Sequence, residues 1–62
     1  MIIEKYSDLK NVKDGVIVDL TKLDLHLYVR ALDFLAGLTS KNGKLVKLER
    51  QKFLVKLNTK NN

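Results

Sequence analysis

The chain contains no cysteine, no proline and no tryptophan, and it has only three glycines. Without cysteine, disulfide bonds and thiolate metal sites are excluded. No proline-rich linker divides the 62 residues, which suffice for one domain. No apolar run reaches the ~18 residues that span a membrane, and no secretory signal pattern is present. We therefore expect one cytoplasmic domain over residues 1–58 and a disordered tail at 59–62.

Apolar side chains are concentrated in residues 25–38, a helix-length stretch that is apolar on almost every side. Its polar residues His26, Arg30 and Asp33, together with Gly37, form one narrow stripe at helical spacing. A domain of about 60 residues buries only about 60% of its unfolded surface, so its stability is marginal without help. We expect self-association, with no folded monomer populated.

The order of apolar patterns predicts an α/β fold, β-α-β-α-β-β. This is a small two-layer sandwich with one main helix packed on a four-stranded sheet. The predicted strands lie at 2–3, 16–20, 44–48 and 52–57. Because residues 16–20 are apolar on both faces, we predict a central strand covered on both sides. The main helix is then the crossover of a βαβ unit.

Capping residues predict where the helices begin and end. Ser7 is the expected cap of a short first helix that ends at Gly15. Thr21 and Asp24 are alternative caps of the main helix, which we expect to run to about Ser40. The pair at 42–43, Asn-Gly, supplies a left-handed residue that turns the chain.

The last two strands form a predicted hairpin joined by residues 49–51. Phe53, Val55 and Leu57 alternate with Lys52, Leu54 and Lys56, so the two sets face opposite sides of the sheet. Phe53 is either a core residue or, with Leu54, a candidate partner-binding residue, and the alternation favours the core.

Catalysis has little support in the sequence. His26 is the only histidine, the carboxylates are scattered, and the three glycines lie too far apart to form a phosphate-binding loop. We expect no enzyme activity, no cofactor, no metal and no small-molecule substrate.

The net charge of +5 comes mainly from residues 41–60, which carry seven lysines and arginines against Glu49 alone. Such a segment could contact nucleic acid, an anionic membrane or an acidic protein. Lysines that protect a strand edge from aggregation are the simpler explanation, which we favour.

Three residues on the polar stripe of the main helix have two interpretations each. Arg30 and Asp33 could form an intrahelical ion pair or the polar part of a contact between helices. Gly37 could end the helix with a left-handed conformation, or it could let a second helix approach closely. We favour the contact between helices for Gly37, because residues 42–43 already supply a stop.

The residues also resemble a known family. Five features together resemble the core domain of SepF. They are the strand Val-Ile-Val-Asp-Leu at 16–20, Leu23, the segment Arg-x-x-Asp-Phe-Leu-Ala-Gly at 30–37, Gly43, and Phe-Leu at 53–54. SepF is a bacterial cell-division protein that binds the tubulin-like FtsZ. The likeness covers about residues 16–57, and the helix segment is its most specific part.

The resemblance implies a homodimer formed through the sheets, further assembly through the helix layer at Arg30, Asp33 and Gly37, and FtsZ binding near Phe53 and Leu54.

The chain departs from the family in a shorter first segment and in Val55-Lys56 where Thr-Pro is common. No amphipathic targeting helix precedes the matched region, so we expect no direct membrane anchor in this chain. A weaker similarity to STAS regulatory domains lacks their phosphorylatable serine, since Asp24 and Leu25 occupy that place. The alternative functions are a STAS-like interaction domain or a small nucleic-acid-binding module.

Overall fold

The computed structural model describes residues 1–41 and 43–57 of the chain. A 3₁₀ helix at Tyr6–Asn11 comes first. The other elements, in chain order, are β1 (Ile17–Asp19), α1 (Leu25–Leu38), β2 (Lys44–Glu49) and β3 (Lys52–Lys56). The fold is thus a small α/β structure with one main helix, as the apolar patterns predict.

The three strands form one antiparallel sheet in the order β1-β3-β2. Because β1 and β2 both run antiparallel to β3, they are parallel to each other, and α1 connects them with β3 inserted between. The strand predicted at residues 2–3 is reduced to a single parallel bridge between Ile2 and Asp19. Four full strands are therefore not confirmed in the described part of the chain.

The prediction that residues 16–20 form a central strand covered on both sides is wrong for this structure. The strand is only three residues long, and β3 takes the central position. Val18 is buried, but the neighbouring Ile17 is 48% exposed on the opposite face. Since successive side chains of a strand point to opposite faces, only one face of β1 is covered.

Asp24, rather than Thr21, caps α1. The Asp24 Oδ1 atom accepts a hydrogen bond from the Leu27 N–H at 2.9 Å, which satisfies one of the free donors of the first turn. The Thr21 hydroxyl and N–H instead donate to Asp19 Oδ1 at 2.6 and 2.9 Å. The helix ends at Leu38, two residues before the predicted end.

The two predicted boundaries of the first helix are also wrong. Ser7 lies inside the 3₁₀ helix, and the side chain of Asp8 takes the capping role by accepting from the N–H groups of Glu4 and Lys5. The helix ends at Asn11, while Gly15 lies in the following turn with φ +83°.

The hairpin is tighter than predicted because Glu49 belongs to β2 and only Arg50 and Gln51 form the loop. Gln51 adopts φ 62°, a left-handed conformation usually left to glycine or asparagine. The ladder shifts register between Lys47 and Glu49, which marks a bulge next to the turn.

One buried cluster joins the helices to one face of the sheet. Ala31 and Leu35 of α1 and Leu9 of the 3₁₀ helix share this cluster with alternate strand residues, namely Val18, Phe53 and Val55. Ile3 and Leu20 are fully buried in it as well. No described residue of the chain covers the other face of the sheet in this way.

Candidate interaction surfaces

The described residues, 1–41 and 43–57, form no pocket, and no three of their His, Asp or Glu side chains cluster closely enough to hold a metal ion. No helix within these residues is sufficiently long and apolar to cross a membrane. His26 is exposed in the first turn of α1. The features that remain as candidate sites are two surfaces.

The first surface is the open sheet face, which we define as the side of the sheet opposite the buried cluster. At its centre Ile17, Leu54 and Val46 are directly paired across β1, β3 and β2. Ile17 and Val46 are 48% and 38% exposed, and Leu54 is half-buried. These three side chains form one continuous aliphatic row across the sheet.

Lysines occupy one end of the open sheet face. Lys44 and Lys56 are direct cross-strand partners, two residues beyond Val46 and Leu54, and both are exposed. Like charges directly opposite each other destabilise a strand pair. We call these two residues the positive end.

The other end of the open sheet face carries both signs of charge. Asp19 pairs with Lys52 across β1 and β3, and the Lys52 Nζ atom lies 3.5 Å from a carboxylate oxygen of Glu49. The hydrogen bonds from the Thr21 hydroxyl and N–H lower the pKa of Asp19 from its ordinary value of 3.8. We call Asp19, Glu49 and Lys52 the mixed end, because charges of both signs meet there; the Met1 ammonium, which donates to the Ile17 carbonyl at 2.8 Å, also lowers the pKa of Asp19.

The second surface is the outer helix surface, formed by the solvent-facing side of α1. Leu25 and Val29, one turn apart, are 75% and 49% exposed. Gly37 lies within the helix, without the positive φ of a left-handed cap, and an added Cβ would meet no atom within 4 Å. Gly37 is therefore a residue within the helix and not the left-handed residue that ends it.

Arg30 and Asp33 are exposed on the outer helix surface but are not paired with each other. The Arg30 guanidinium carbon lies 5.1 Å from the centre of the Tyr6 ring, and that ring contacts Phe34 edge-on at 6.1 Å. Within residues 1–41 and 43–57, the one ion pair closer than 4 Å joins Lys52 and Glu49. Arg30 is thus positioned by an aromatic ring of the 3₁₀ helix.

Phe53 and Leu54 lie on opposite faces of β3. Phe53 is 8% exposed and belongs to the buried cluster, whereas Leu54 lies in the middle of the aliphatic row. Phe53 is therefore surrounded by core residues, as the interpretation of Phe53 as a core residue expects. Partner binding through Phe53 or Leu54 stays a prediction.

Sequence reasoning missed the aliphatic row and the contact of Arg30 with Tyr6. Because Leu54 alternates with Phe53, and Ile17 with Val18, the sequence already indicated that apolar residues lie on both faces of these strands. Which strands are neighbours, however, depends on β3 lying between β1 and β2. The pairing of Arg30 with Tyr6 has no signal in local spacing, since 24 positions separate them.

Comparisons with known proteins add no relative: no protein-family model, curated protein or solved structure matches this chain.

Proposed function

We propose that this chain is a non-enzymatic, homodimeric scaffold of the SepF type, which binds FtsZ in the cytoplasm and helps organise the division septum. The observation that carries the homodimer is the exposed aliphatic row Ile17–Leu54–Val46. The motifs at 16–20, 30–37 and 53–54 carry the SepF assignment.

The row supports an association surface because aliphatic side chains exposed in a contiguous set favour removal from water. Burying apolar surface is worth about 25 cal/mol per Å². A second sheet packed on this face would cover it, with side chains from the two faces interdigitating. A chain this small has few other means of gaining stability.

The outer helix surface supports assembly of dimers into larger structures. Leu25 and Val29 supply exposed apolar contacts, and Gly37 leaves room for a second backbone to approach. Arg30 and Asp33 border this surface and would orient the contact. The family resemblance gives these three polar-stripe residues the same role.

Dimerisation is tested by sedimentation equilibrium of the wild type and of a double variant, Ile17→Thr with Val46→Thr. Threonine keeps the β-branched shape that suits a strand but replaces a methyl group of valine, or the ethyl group of isoleucine, with a hydroxyl. We expect a dimer for the wild type and a shift to monomer for the variant. Val29→Thr is the matched control, because it makes the same change on the outer helix surface and should leave the dimer intact.

Partner binding is tested by co-sedimentation with polymerised FtsZ at two salt concentrations, beside a parallel assay with nucleic acid. We expect the wild type to pellet with FtsZ, and Leu54→Ala to pellet less, because it weakens the dimer on which the family resemblance places FtsZ. A wild type that binds nucleic acid in a salt-sensitive, sequence-independent way and ignores FtsZ would support the nucleic-acid alternative. Burial of Phe53 weighs against that alternative, because it leaves no phenylalanine on the hairpin surface for base stacking.

Higher assembly is tested with Gly37→Lys. A lysine there points into open space, so the fold and the dimer should survive, while assembly beyond the dimer should be lost. Light scattering of concentrated wild type and variant measures the difference. If wild type and Gly37→Lys assemble equally, the outer helix surface is not the contact.

A further inference from the structure

We propose that the outer edge of β2 binds an extended acidic peptide segment of a partner protein, which adds to the sheet as a further strand. The segment has an acidic residue, two apolar residues and a second acidic residue opposite residues 44–47. This edge is separate from the open sheet face and from the outer helix surface. The inference therefore rests neither on the proposed homodimer nor on FtsZ binding.

Residues 1–3 already occupy the outer edge of β1. The Met1 ammonium donates to the Ile17 carbonyl, and the Met1 carbonyl accepts from the Asp19 N–H, both at 2.8 Å. The Ile3 N–H donates to the Asp19 carbonyl at 3.0 Å. The outward backbone groups of β1 are thus satisfied within the chain, and a further strand has no place there.

Hydrogen bonds to the β1 side show which way the backbone of β3 points. The Val55 N–H donates to the Val16 carbonyl at 2.9 Å, and the Val55 carbonyl accepts from the Gly15 N–H at 2.8 Å. The Gln51 carbonyl likewise accepts from the Leu20 N–H at 2.8 Å. Because the direction of the backbone groups alternates along an antiparallel strand, residues 52, 54 and 56 point towards β2.

This alternation leaves Leu45 and Lys47 of β2 with backbone groups that point away from the sheet. Lys44 and Val46 are the partners of residues 56 and 54, so their N–H and C=O groups face β3. Within residues 1–41 and 43–57, β3 is the only strand paired with β2. We call the outward N–H and C=O groups of Leu45 and Lys47 the free edge. Such groups are a template for an added strand.

The free edge is basic. Lys44 and Lys47 are exposed, and within the described ranges the one ion pair closer than 4 Å joins Glu49 to Lys52 instead. Asp14 lies on the far side of β3, because it follows the β1 side in accepting from the N–H of residue 57 at 2.8 Å. An acidic segment at the free edge would therefore meet two ammonium groups that have no carboxylate beside them.

A second copy of this chain is a poor occupant of the free edge. Two β2 strands side by side would bring Lys44 and Lys47 of both copies into one ladder, and lysines on an edge strand oppose such pairing. An acidic strand takes the same backbone hydrogen bonds and meets the same lysines with attraction. The charge of the edge thus selects an acidic partner segment.

The side chains of β2 set the pattern of that segment. Leu45 and Lys47 lie on the face of the buried cluster, opposite residues 55 and 53, while Lys44 and Val46 lie on the open sheet face. Opposite charges and apolar pairs stabilise neighbouring strands when they are directly opposite. Carboxylates opposite the two lysines and apolar residues opposite Leu45 and Val46 give the pattern acidic–apolar–apolar–acidic, which reads the same in both directions.

A charge swap tests the recognition. The probe is a fluorescent peptide with Glu-Val-Val-Glu between serines, and the control peptide has Lys-Val-Val-Lys. By anisotropy at low salt, the wild type should bind the acidic peptide about tenfold more tightly, and Lys44→Glu with Lys47→Glu should reverse the preference. Lys10→Glu with Lys22→Glu makes the same net change at exposed positions elsewhere and should keep the wild-type preference. Absence of binding at millimolar acidic peptide would overturn the proposal.

Amide hydrogen exchange, measured by NMR, tests the position of the bound strand. In the free protein the amides of Leu45 and Lys47 should exchange faster than that of Val46, which faces β3. Saturating acidic peptide should slow exchange at Leu45 and Lys47 about tenfold or more. Protection of these two amides that grows with protein concentration, without peptide, would mean that a second copy occupies the edge and would overturn the proposal.

Two N-methylated peptides separate strand addition from attraction between charges. Methyl groups on alternate amide nitrogens of the acidic peptide block the backbone donors of one of its edges and leave the other edge intact. One of the two alternately methylated peptides should lose binding and the other should keep it, because an added strand bonds to β2 through one edge only. Equal affinity of both methylated peptides would show that charge alone holds the peptide, against the proposed strand addition.

Discussion

A Cβ atom placed on Gly43 would lie 2.5 Å from the carbonyl oxygen of Lys56, closer than such atoms approach in folded proteins. The same atom would lie 3.1 Å from Cα of Thr39. The backbone leaving α1 therefore passes β3 so closely that only glycine fits. Gly37, six positions earlier, has open space around it.

These two glycines give the first prediction. Gly43→Ala should lower the free energy of unfolding by about 1–3 kcal/mol, because backbone atoms must move to admit the methyl group. Gly37→Ala should raise it by as much as about 1 kcal/mol, since alanine is the better helix former. Urea unfolding at one fixed protein concentration measures both. Equal effects of the two substitutions would contradict the assigned roles.

The second prediction concerns the cap of α1. Asp24→Ala removes the acceptor of the Leu27 N–H and should lower the free energy of unfolding by about 1 kcal/mol. Asp33→Ala, the same change at an exposed position within the helix, should alter it by less than about 0.5 kcal/mol. Thermal unfolding followed by circular dichroism compares them. A smaller loss for Asp24→Ala than for Asp33→Ala would exclude Asp24 as the cap.

The third prediction concerns the left-handed residue of the hairpin loop. Gln51 has φ 62°, a conformation that costs an ordinary residue about 1–2 kcal/mol. Gln51→Gly should therefore be neutral or stabilise the protein by as much as about 1 kcal/mol, while the β-branched Gln51→Val should destabilise it. Unfolding in urea ranks the three proteins. Wild type more stable than Gln51→Gly by over 1 kcal/mol would disagree with this turn geometry.

The fourth prediction is a dependence of stability on pH below about 4. The hydrogen bonds from Thr21 lower the pKa of Asp19 in the folded state, so the carboxylate contributes stability above its unfolded pKa. This contribution is lost as the pH falls below 3.8 and through the folded pKa. Thr21→Val removes the hydroxyl donor while keeping the shape, and it should raise the pKa of Asp19. NMR titration of the Asp19 carboxyl, from pH 6 downwards, measures the change, and an unchanged pKa would contradict it.

The fifth prediction separates the two faces of β3. Phe53→Ala should cost about 3–5 kcal/mol and unfold the domain, because Phe53 fills part of the buried cluster. Leu54→Ala is the matched control on the open sheet face. It should leave a folded protein that dimerises more weakly. A folded Phe53→Ala variant that has lost only its partner would show that Phe53 serves binding rather than the core.

The sequence by itself determined the elements whose signals are local. The capping candidate Asp24, the long apolar run at 25–38 and the alternation around Phe53 each act within a few residues, and the structure has α1 and β3 there. The α/β class follows from the same periodicities. Their physical basis is short-range, since a cap or an alternating strand needs no knowledge of distant residues.

Tertiary structure decided what depends on distant partners. Residues 16–20 have an apolar composition that fits a covered central strand, yet β3 takes the centre because it pairs with both β1 and β2. Only that pairing aligns Ile17, Leu54 and Val46 into one row and places Lys44 opposite Lys56. By spacing, Thr21 was an equally good cap for α1, but its hydroxyl donates a hydrogen bond to Asp19 instead. Strand order and register join residues far apart in sequence. They therefore create the aliphatic row of the open sheet face, which the amino-acid pattern alone does not predict.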